Sequence, residues 1–333
     1  MAKKYDVYGL GNALVDMEFE VETDYLKQAN IEKGLMTLVD EQRQTEIVGA
    51  LHGIPHKRSC GGSAANTMIA ISQFGGKAFY SCKVAKDETG IFYFKDLKAN
   101  GVDTNLHADS LEEGISGKCI VLITPDADRT MNSFLGITSN FSTKEVIFDE
   151  IKNSHWLYLE GYLVASPTGK NACVEARKFA EANGVKTALT FSDVNMVKFF
   201  GEGLKEMIGE KVDLLFCNES EALAFTGKNS VEESLEDLKK VARTFAVTLG
   251  PKGALVFDGK KEIHVVTMPV EAIDTNGADD LFAGSFLYGI NHGLNYAESA
   301  KLGCLASSTL VTQFGARLRV EQVQNLKSKY LNK

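Results

Sequence analysis

Asp274-Thr275-Asn276-Gly277-Ala278-Asp279-Asp280 runs straight into Leu281-Phe282-Ala283-Gly284-Ser285-Phe286-Leu287-Tyr288, near the end of a 333-residue chain. The apolar run reads as a core helix, and the Gly-containing turn before it as the entry. The first backbone N–H groups of a helix have no partner within it, so at such an entry they can face an anion. Asp279 and Asp280 also place two carboxylates where an incoming hydroxyl would lose its proton. A phosphate cradle beside a base points to phosphoryl transfer. The same residues equally suit an acidic, N-capped core helix without chemistry, because Asp and Thr are ordinary caps.

Working back from this stretch, the second half of the chain alternates. Trp156–Glu160, Lys186–Phe191, Val212–Cys217 and Phe245–Gly250 read as buried strands, with helices over Ser166–Asn183 and from Asn218-Glu219-Ser220-Glu221 between them. Such alternation predicts an α/β fold: a mainly parallel central sheet with helices on both faces and ligands at the carboxyl ends of the strands. The first half differs. Tyr5–Asn12 is a strand ending in a Gly-rich turn, but Leu14 stands where a dinucleotide fingerprint needs a third small residue. Apolar alternation resumes at Val15, Met17, Phe19 and Val21, so Asn12 and Asp16 bracket a strand-to-strand crossing. They suit either a polyhydroxylated ligand or turn capping. Gly34–Asp40 reads as another strand, and Gly117–Thr124 with Asp128–Leu135 as a hairpin. These four β segments form a small β-sheet appendage, about residues 15–40 and 115–137, inserted into a single domain spanning 1–333.

Between them, Ser59-Cys60-Gly61-Gly62-Ser63-Ala64-Ala65-Asn66-Thr67 opens a further helix. Gly61 and Gly62 let backbone approach a ligand closely, and Asn66, one turn in, offers both a donor and an acceptor to hydroxyls. A Gly-rich entry built only for packing would look the same.

With a net charge of -8 and no basic tract, a nucleic-acid binder is not expected, although a small phosphorylated ligand needs only local donors. Six scattered cysteines without a C-x-x-C pair or a His cluster read as reduced core thiols. No membrane-length apolar run is visible, so no membrane partner and a cytoplasmic location are expected.

Taken together, the motifs resemble those of the PfkB, or ribokinase-like, carbohydrate and purine kinase family. Gly61, Gly62 and Asn66 match its G-G-x-x-x-N element, and Asp274 to Asp280 its D-T-x-G-A-G-D element except at Asp279. Asn218 and Glu221 match its N-x-x-E motif, and Thr248, Gly250 and Gly253 its T-x-G-x-x-G turn. Within the family the chain is most similar to adenosine kinases. Gly11-Asn12-Ala13-Leu14-Val15-Asp16 resembles their ribose-holding segment, Ser116 to Arg129 their lid hairpin, and Gly161-Tyr162-Leu163 their purine-sandwiching segment. Where they present an aromatic residue, this chain has Ser192-Asp193-Val194-Asn195.

The resemblance implies an ATP-dependent transfer to the primary hydroxyl of a nucleoside, adenosine first, with Mg2+ and in many members a monovalent cation such as K+. It implies Asp280 as the base, with the N–H groups around Gly277, Ala278 and Asp279 and the Arg129 side chain on the transferring phosphoryl. Asn12, Asp16, Gly61, Gly62, Ser63 and Asn66 would hold the acceptor, with Met131, Ser133, Tyr162 and Leu163 around a base. Thr248, Gly250, Gly253, Asn276, Gly277 and Asn218 would hold ATP, with Asn218 and Glu221 positioning Mg2+ through water. A homodimer paired through the lid, as in ribokinases, and a monomer, as in adenosine kinases, both fit, the monomer better. Asp279 in place of Gly adds charge beside a triphosphate; its side chain is expected to turn outward and transfer to be slowed. The alternatives are a kinase of a free sugar, and a nucleoside-binding member impaired by Asp279.

Overall fold

The structure, a computed structural model, describes residues 3–34, 36–126 and 129–330, with the Arg129 side chain also outside the described parts. Strand β1 (Tyr5–Leu10) starts the central sheet, and the chain leaves it at once for β2 (Leu14–Glu20), β3 (Met36–Leu38) and β4 (His56–Gly61). It returns for β5 (Ala78–Ser81) and β6 (Asp103–Thr104), leaves again for β7 (Gly117–Ile123) and β8 (Arg129–Phe134), and then stays. The remaining strands are β9 (Ser154–Glu160), β10 (Lys186–Thr190), β11 (Val212–Asn218), β12 (Ala242–Thr248), β13 (Ala254–Phe257) and β14 (Glu262–Val265).

Among the described residues the central sheet has the order β14-β13-β12-β11-β10-β9-β1-β5-β6, parallel from β12 to β6 and antiparallel at β13 and β14. Its inner strands are apolar on both sides, as a sheet covered by helices on both faces requires. In β9, Leu157 and Leu159 enter one core with the helices Pro167–Ala182 and Val194–Ile208. Trp156 and Tyr158 point the other way, into a core with the helices Ser63–Gln73 and Ala278–Asn291.

The smaller sheet has the order β3-β8-β7-β2-β4. One of its faces packs on the helices Thr23–Gln28 and Glu41–Ala50 through Phe19, Leu26, Ile47, Ile120 and Leu122. The other face turns Asp16, Cys119, Val121, Met131 and Ser133 toward the carboxyl ends of the central strands, across a cleft. Two details depart from expectation. The strand expected over Gly34–Asp40 is reduced to Met36–Leu38. The sheet also takes in His56–Gly61, whose residues His-Lys-Arg-Ser-Cys-Gly carry no apolar alternation because it is an edge strand, half solvated, paired antiparallel with β2.

Candidate active site

Gly277 takes φ +73°, in the left-handed region, and the helix Ala278–Asn291 begins immediately after it. Among the described residues no side chain caps this helix start. Asp274, expected to be an ordinary cap, instead braces the turn: its Oδ1 accepts from Asn276 N at 2.9 Å and its Oδ2 from Gly315 N at 2.7 Å. A Cβ on Gly277 would lie 2.7 Å from Ala316 Cβ and 2.8 Å from Ala316 O, so the turn is shaped for Gly twice over. The uncapped first turn, with the positive end of the helix dipole, is what an anion site needs.

At the third position of that turn, Asp280 is partly buried and held by two donors. Ser63 Oγ donates to Oδ1 at 2.6 Å and Asn66 Nδ2 to Oδ2 at 3.1 Å. Both come from the helix Ser63–Gln73, whose entry at Gly62 has φ +97°. Burial pushes the Asp280 carboxyl up to about 6; the Ser63 and Asn66 bonds hold it down, and Asp279 pushes it further up. Asn66 Oδ1, in turn, is buried with no hydrogen-bond partner among the described residues, at the edge of the cleft. Such an acceptor suits a ligand hydroxyl.

Asp280 lies between two clefts. The first, about 480 Å³, is bounded by Asp16, Met131 and Ser133 of the smaller sheet and by Asn12, Ser63, Asn66 and Tyr162. The second, about 530 Å³, is bounded by Thr248, Gly250, Gly253, Met268, Val270 and Asn218. A small cavity with Ser63, Asn218, Glu221, Thr248, Asp279 and Asp280 on its walls joins them. Thr275, Ala278 and Asp279 border both clefts, whereas Asn276 and Gly277, expected on the nucleotide side, face only the first.

The expected residues separate as follows. Gly61 reaches the site indirectly: a Cβ there would collide with the Asp16 carboxylate. Leu163 belongs to the hydrophobic core and not to a base pocket, because the 3-10 turn Gly161–Ala165 points Tyr162 outward and Leu163 inward. Asp279 is exposed, but its Oδ1 is engaged by Thr248 Oγ1 at 2.8 Å. The Arg129 side chain lies outside the described parts.

Glu160 is the residue that sequence reasoning passed over. It is fully buried at the end of β9, and its Oε1 accepts from Asn12 N at 3.0 Å and Asn12 Nδ2 at 3.2 Å. Its Oε2 accepts from Ala64 N at 2.8 Å. Burial pushes its carboxyl up to about 7, against the pull of those N–H groups. One carboxylate thus joins the crossing that carries Asn12 to the helix entry that carries Ser63. The available signal was a lone acid ending an apolar strand just before Gly161. Ser192 was noted only as part of a polar wall. It takes φ +69° and accepts Gly161 N through Oγ at 2.9 Å.

Asn218 and Glu221 close a capping box: Asn218 Oδ1 accepts Glu221 N and Glu221 Oε2 accepts Asn218 N, both at 3.0 Å. Burial, with Asp279, Asp193 and Asp280 nearby, raises the Glu221 carboxyl to about 8 despite the Asn218 N–H. Among the described residues no three His, Cys, Asp or Glu side chains form a metal cage. Among the described residues the joining cavity has three acidic walls and no cationic one, and hard oxygen donors suit a hydrated Mg2+ that phosphates help to hold.

A model of the pfkB family carbohydrate kinase matches residues 36–322. The chain belongs to that family. The kinase superposes on adenosine kinase from Sinorhizobium meliloti with a TM-score of 0.89 and 34% identity, covering 98% of this chain and 99% of that one. A probable sugar kinase protein from Rhizobium etli CFN 42 gives 0.89 and 32%, at 98% and 99% coverage. The adenosine kinase of Dictyostelium discoideum is 28% identical over 329 residues, covering 92% of this chain and 94% of its own. The ribokinase-like fold implied by the motifs is therefore the observed fold. Among the described residues, no helix is long and apolar enough to cross a membrane.

Proposed function

We propose that this kinase transfers the γ-phosphoryl group of ATP to the primary 5′-hydroxyl of a nucleoside, adenosine first. The observation that carries the reading is Asp280, partly buried where the acceptor cleft meets the joining cavity and oriented by Ser63 and Asn66 from the acceptor side. A carboxyl raised to about 6 is ionised at neutral pH yet basic enough to take a hydroxyl proton in the transition state.

Asn12 and Asp16, with the open acceptor of Asn66, hold the sugar hydroxyls; Tyr162, Met131 and Met196 offer an apolar slot for a base. Turn residues 277–280 receive the charge that develops on the transferring group, from backbone N–H groups that need no reorientation. Thr248, Gly250 and Gly253 border the donor cleft, where Gly253 has room only for hydrogen because a Cβ would meet Val265 O. Bound Mg2+ neutralises phosphate charge; Asn218 and Glu221 would orient its water, and Asp279 faces the same cavity. The strands of the smaller sheet, including the backbone of Arg129, form the lid over the acceptor, excluding water as a competing nucleophile.

A cleft of about 480 Å³ is more than a free pentose fills. The second reading, a free-sugar kinase, draws on the polar wall at Ser192 and Asp193. ADP release with MgATP and a panel of adenosine, inosine, ribose and fructose tests both. Turnover with adenosine at least as efficient as with any sugar is expected. Turnover restricted to a free sugar would overturn the nucleoside reading, and no turnover at all would overturn the transferase reading.

A further inference from the structure

The segment after the helix Tyr296–Leu310 runs beneath both halves of the site. Val311 O accepts Ile273 N at 2.7 Å, Gly315 N reaches Asp274, and Ala316 supports Gly277, so residues 311–316 hold the phosphate-side turn. The next residue, Arg317, crosses to the acceptor side. Its Nη1 donates to Asp96 Oδ2 at 2.8 Å and its Nη2 to the carbonyl oxygen of Cys60. Asp96 Oδ2 also accepts Cys60 N at 3.0 Å, so one ion pair grips the Cys60 residue by both its N–H and its C=O.

Cys60 is not an arbitrary anchor. It is followed by Gly61 and Gly62 and then by Ser63, which holds Asp280. Within the smaller sheet Cys60 lies opposite Val15, and Ser59 opposite Asp16. A single side chain therefore joins the turn that holds phosphate to β4, the strand that leads into the Ser63 entry and pairs with the Asp16-bearing strand β2. The join is costly to the fold. Arg317 is only 16% exposed, and its Nε is buried without a partner among the described residues. A buried donor left unsatisfied costs stability.

We propose that Arg317 is a positioning residue for transfer: it sets the distance between the acceptor-holding entry at Gly62–Ser63 and the phosphate-holding turn at Gly277. The proposal rests on the kinase reading of this site. Lost registration at the reacting centre appears in kcat, because a displacement on the order of 1 Å can cost about a hundredfold.

The test uses the full chain as Arg317→Met, Arg317→Lys and the exposed neighbour Arg319→Met, assayed with MgATP and the best acceptor of the panel above. Turnover is normalised to sites competent to bind acceptor. Arg317→Met is expected to lose about tenfold to a hundredfold in kcat with the KM for MgATP changed by less than about twofold. Arg317→Lys keeps the charge toward Asp96 and recovers part of the loss; Arg319→Met behaves as the parent protein. If Arg317→Met does not fold, Arg317→Lys carries the test alone, since one ammonium cannot hold Asp96 and Cys60 as the planar fork does. Variants that melt earlier but keep kcat per competent site overturn the proposal while the kinase reading stands. A parent protein inactive on every acceptor overturns both.

Discussion

Thr248 Oγ1 donates a hydrogen bond of 2.8 Å to Asp279 Oδ1, at the border between the donor cleft and the cavity that leads to Asp280. The family signature has Gly where Asp279 stands, so the bond commits a nucleotide-side hydroxyl to an extra carboxylate. At roughly 5 Å and an effective dielectric constant near 20, a phosphate charge and this carboxylate repel by about 3 kcal/mol. Solvent at an exposed residue screens much of that. Asp279→Gly, which frees Thr248 and removes the charge, is expected to raise kcat/KM for MgATP by about tenfold. Steady-state kinetics decide it: unchanged constants would mean that Asp279 does not oppose the nucleotide.

Asp280→Asn retains the shape of the site but cannot accept a proton. Turnover should fall by about a hundredfold to ten-thousandfold, while acceptor binding, followed by calorimetry, persists. Near-normal turnover in this variant would remove Asp280 from its role as base.

The same carboxyl sets an acid limb. With its value raised to about 6, Asp280 is protonated and inactive as a base below that pH, so kcat/KM for the acceptor should fall as pH drops through about 6. A profile flat down to about pH 4, the range of an ordinary carboxyl, would contradict the raised value.

Glu221 should register in stability as well as in rate. Its folded value of about 8 stands above the ordinary 4.5, so the folded chain holds this proton more tightly than the unfolded one. The stability it contributes is complete below the ordinary value and is lost as pH rises through about 8. Glu160, raised to about 7, adds in the same sense. Glu221→Gln keeps a capping-box partner but no longer titrates. The melting temperature of the variant should therefore decline less between about pH 6 and about pH 9 than that of the parent. Parallel profiles would show that Glu221 does not hold its proton through that range.

Gly277→Ala meets two obstacles: a left-handed φ, worth about 1–2 kcal/mol, and the Ala316 backbone at 2.8 Å. Lower melting and lost transfer are expected together. A variant with full activity and unchanged melting would show that the turn has an alternative path.

The central sheet was legible because strands buried on both faces are continuous apolar runs, and Trp156–Glu160 or Val212–Cys217 cannot easily be anything else. His56–Gly61 was not, since an edge strand with solvent on one side needs no pattern of its own. Ser63, Asn66 and Asp280 stand in motifs, and the fold brings them within hydrogen-bonding distance although 217 residues separate Ser63 from Asp280. Glu160 carries no motif; its meaning arises from three N–H groups of distant segments meeting at one carboxylate. Tyr162 and Leu163 are both apolar enough for a pocket, and only the local turn decides which faces it. The reach of Arg317 to Cys60 spans 257 residues and leaves no local trace.

The helix that begins at Ala278 is buried continuously from Leu281 to Tyr288. Amides in such a helix exchange with solvent only when the whole domain opens. The proton acceptor therefore rides on an element that is not expected to open at all between global unfolding events. Local fluctuation is left to the opposite wall, where β3 is three residues long and Leu38 is 55% exposed. Deuterium uptake during turnover should accordingly be one-sided, quick around residues 36–38 and near zero through 281–288.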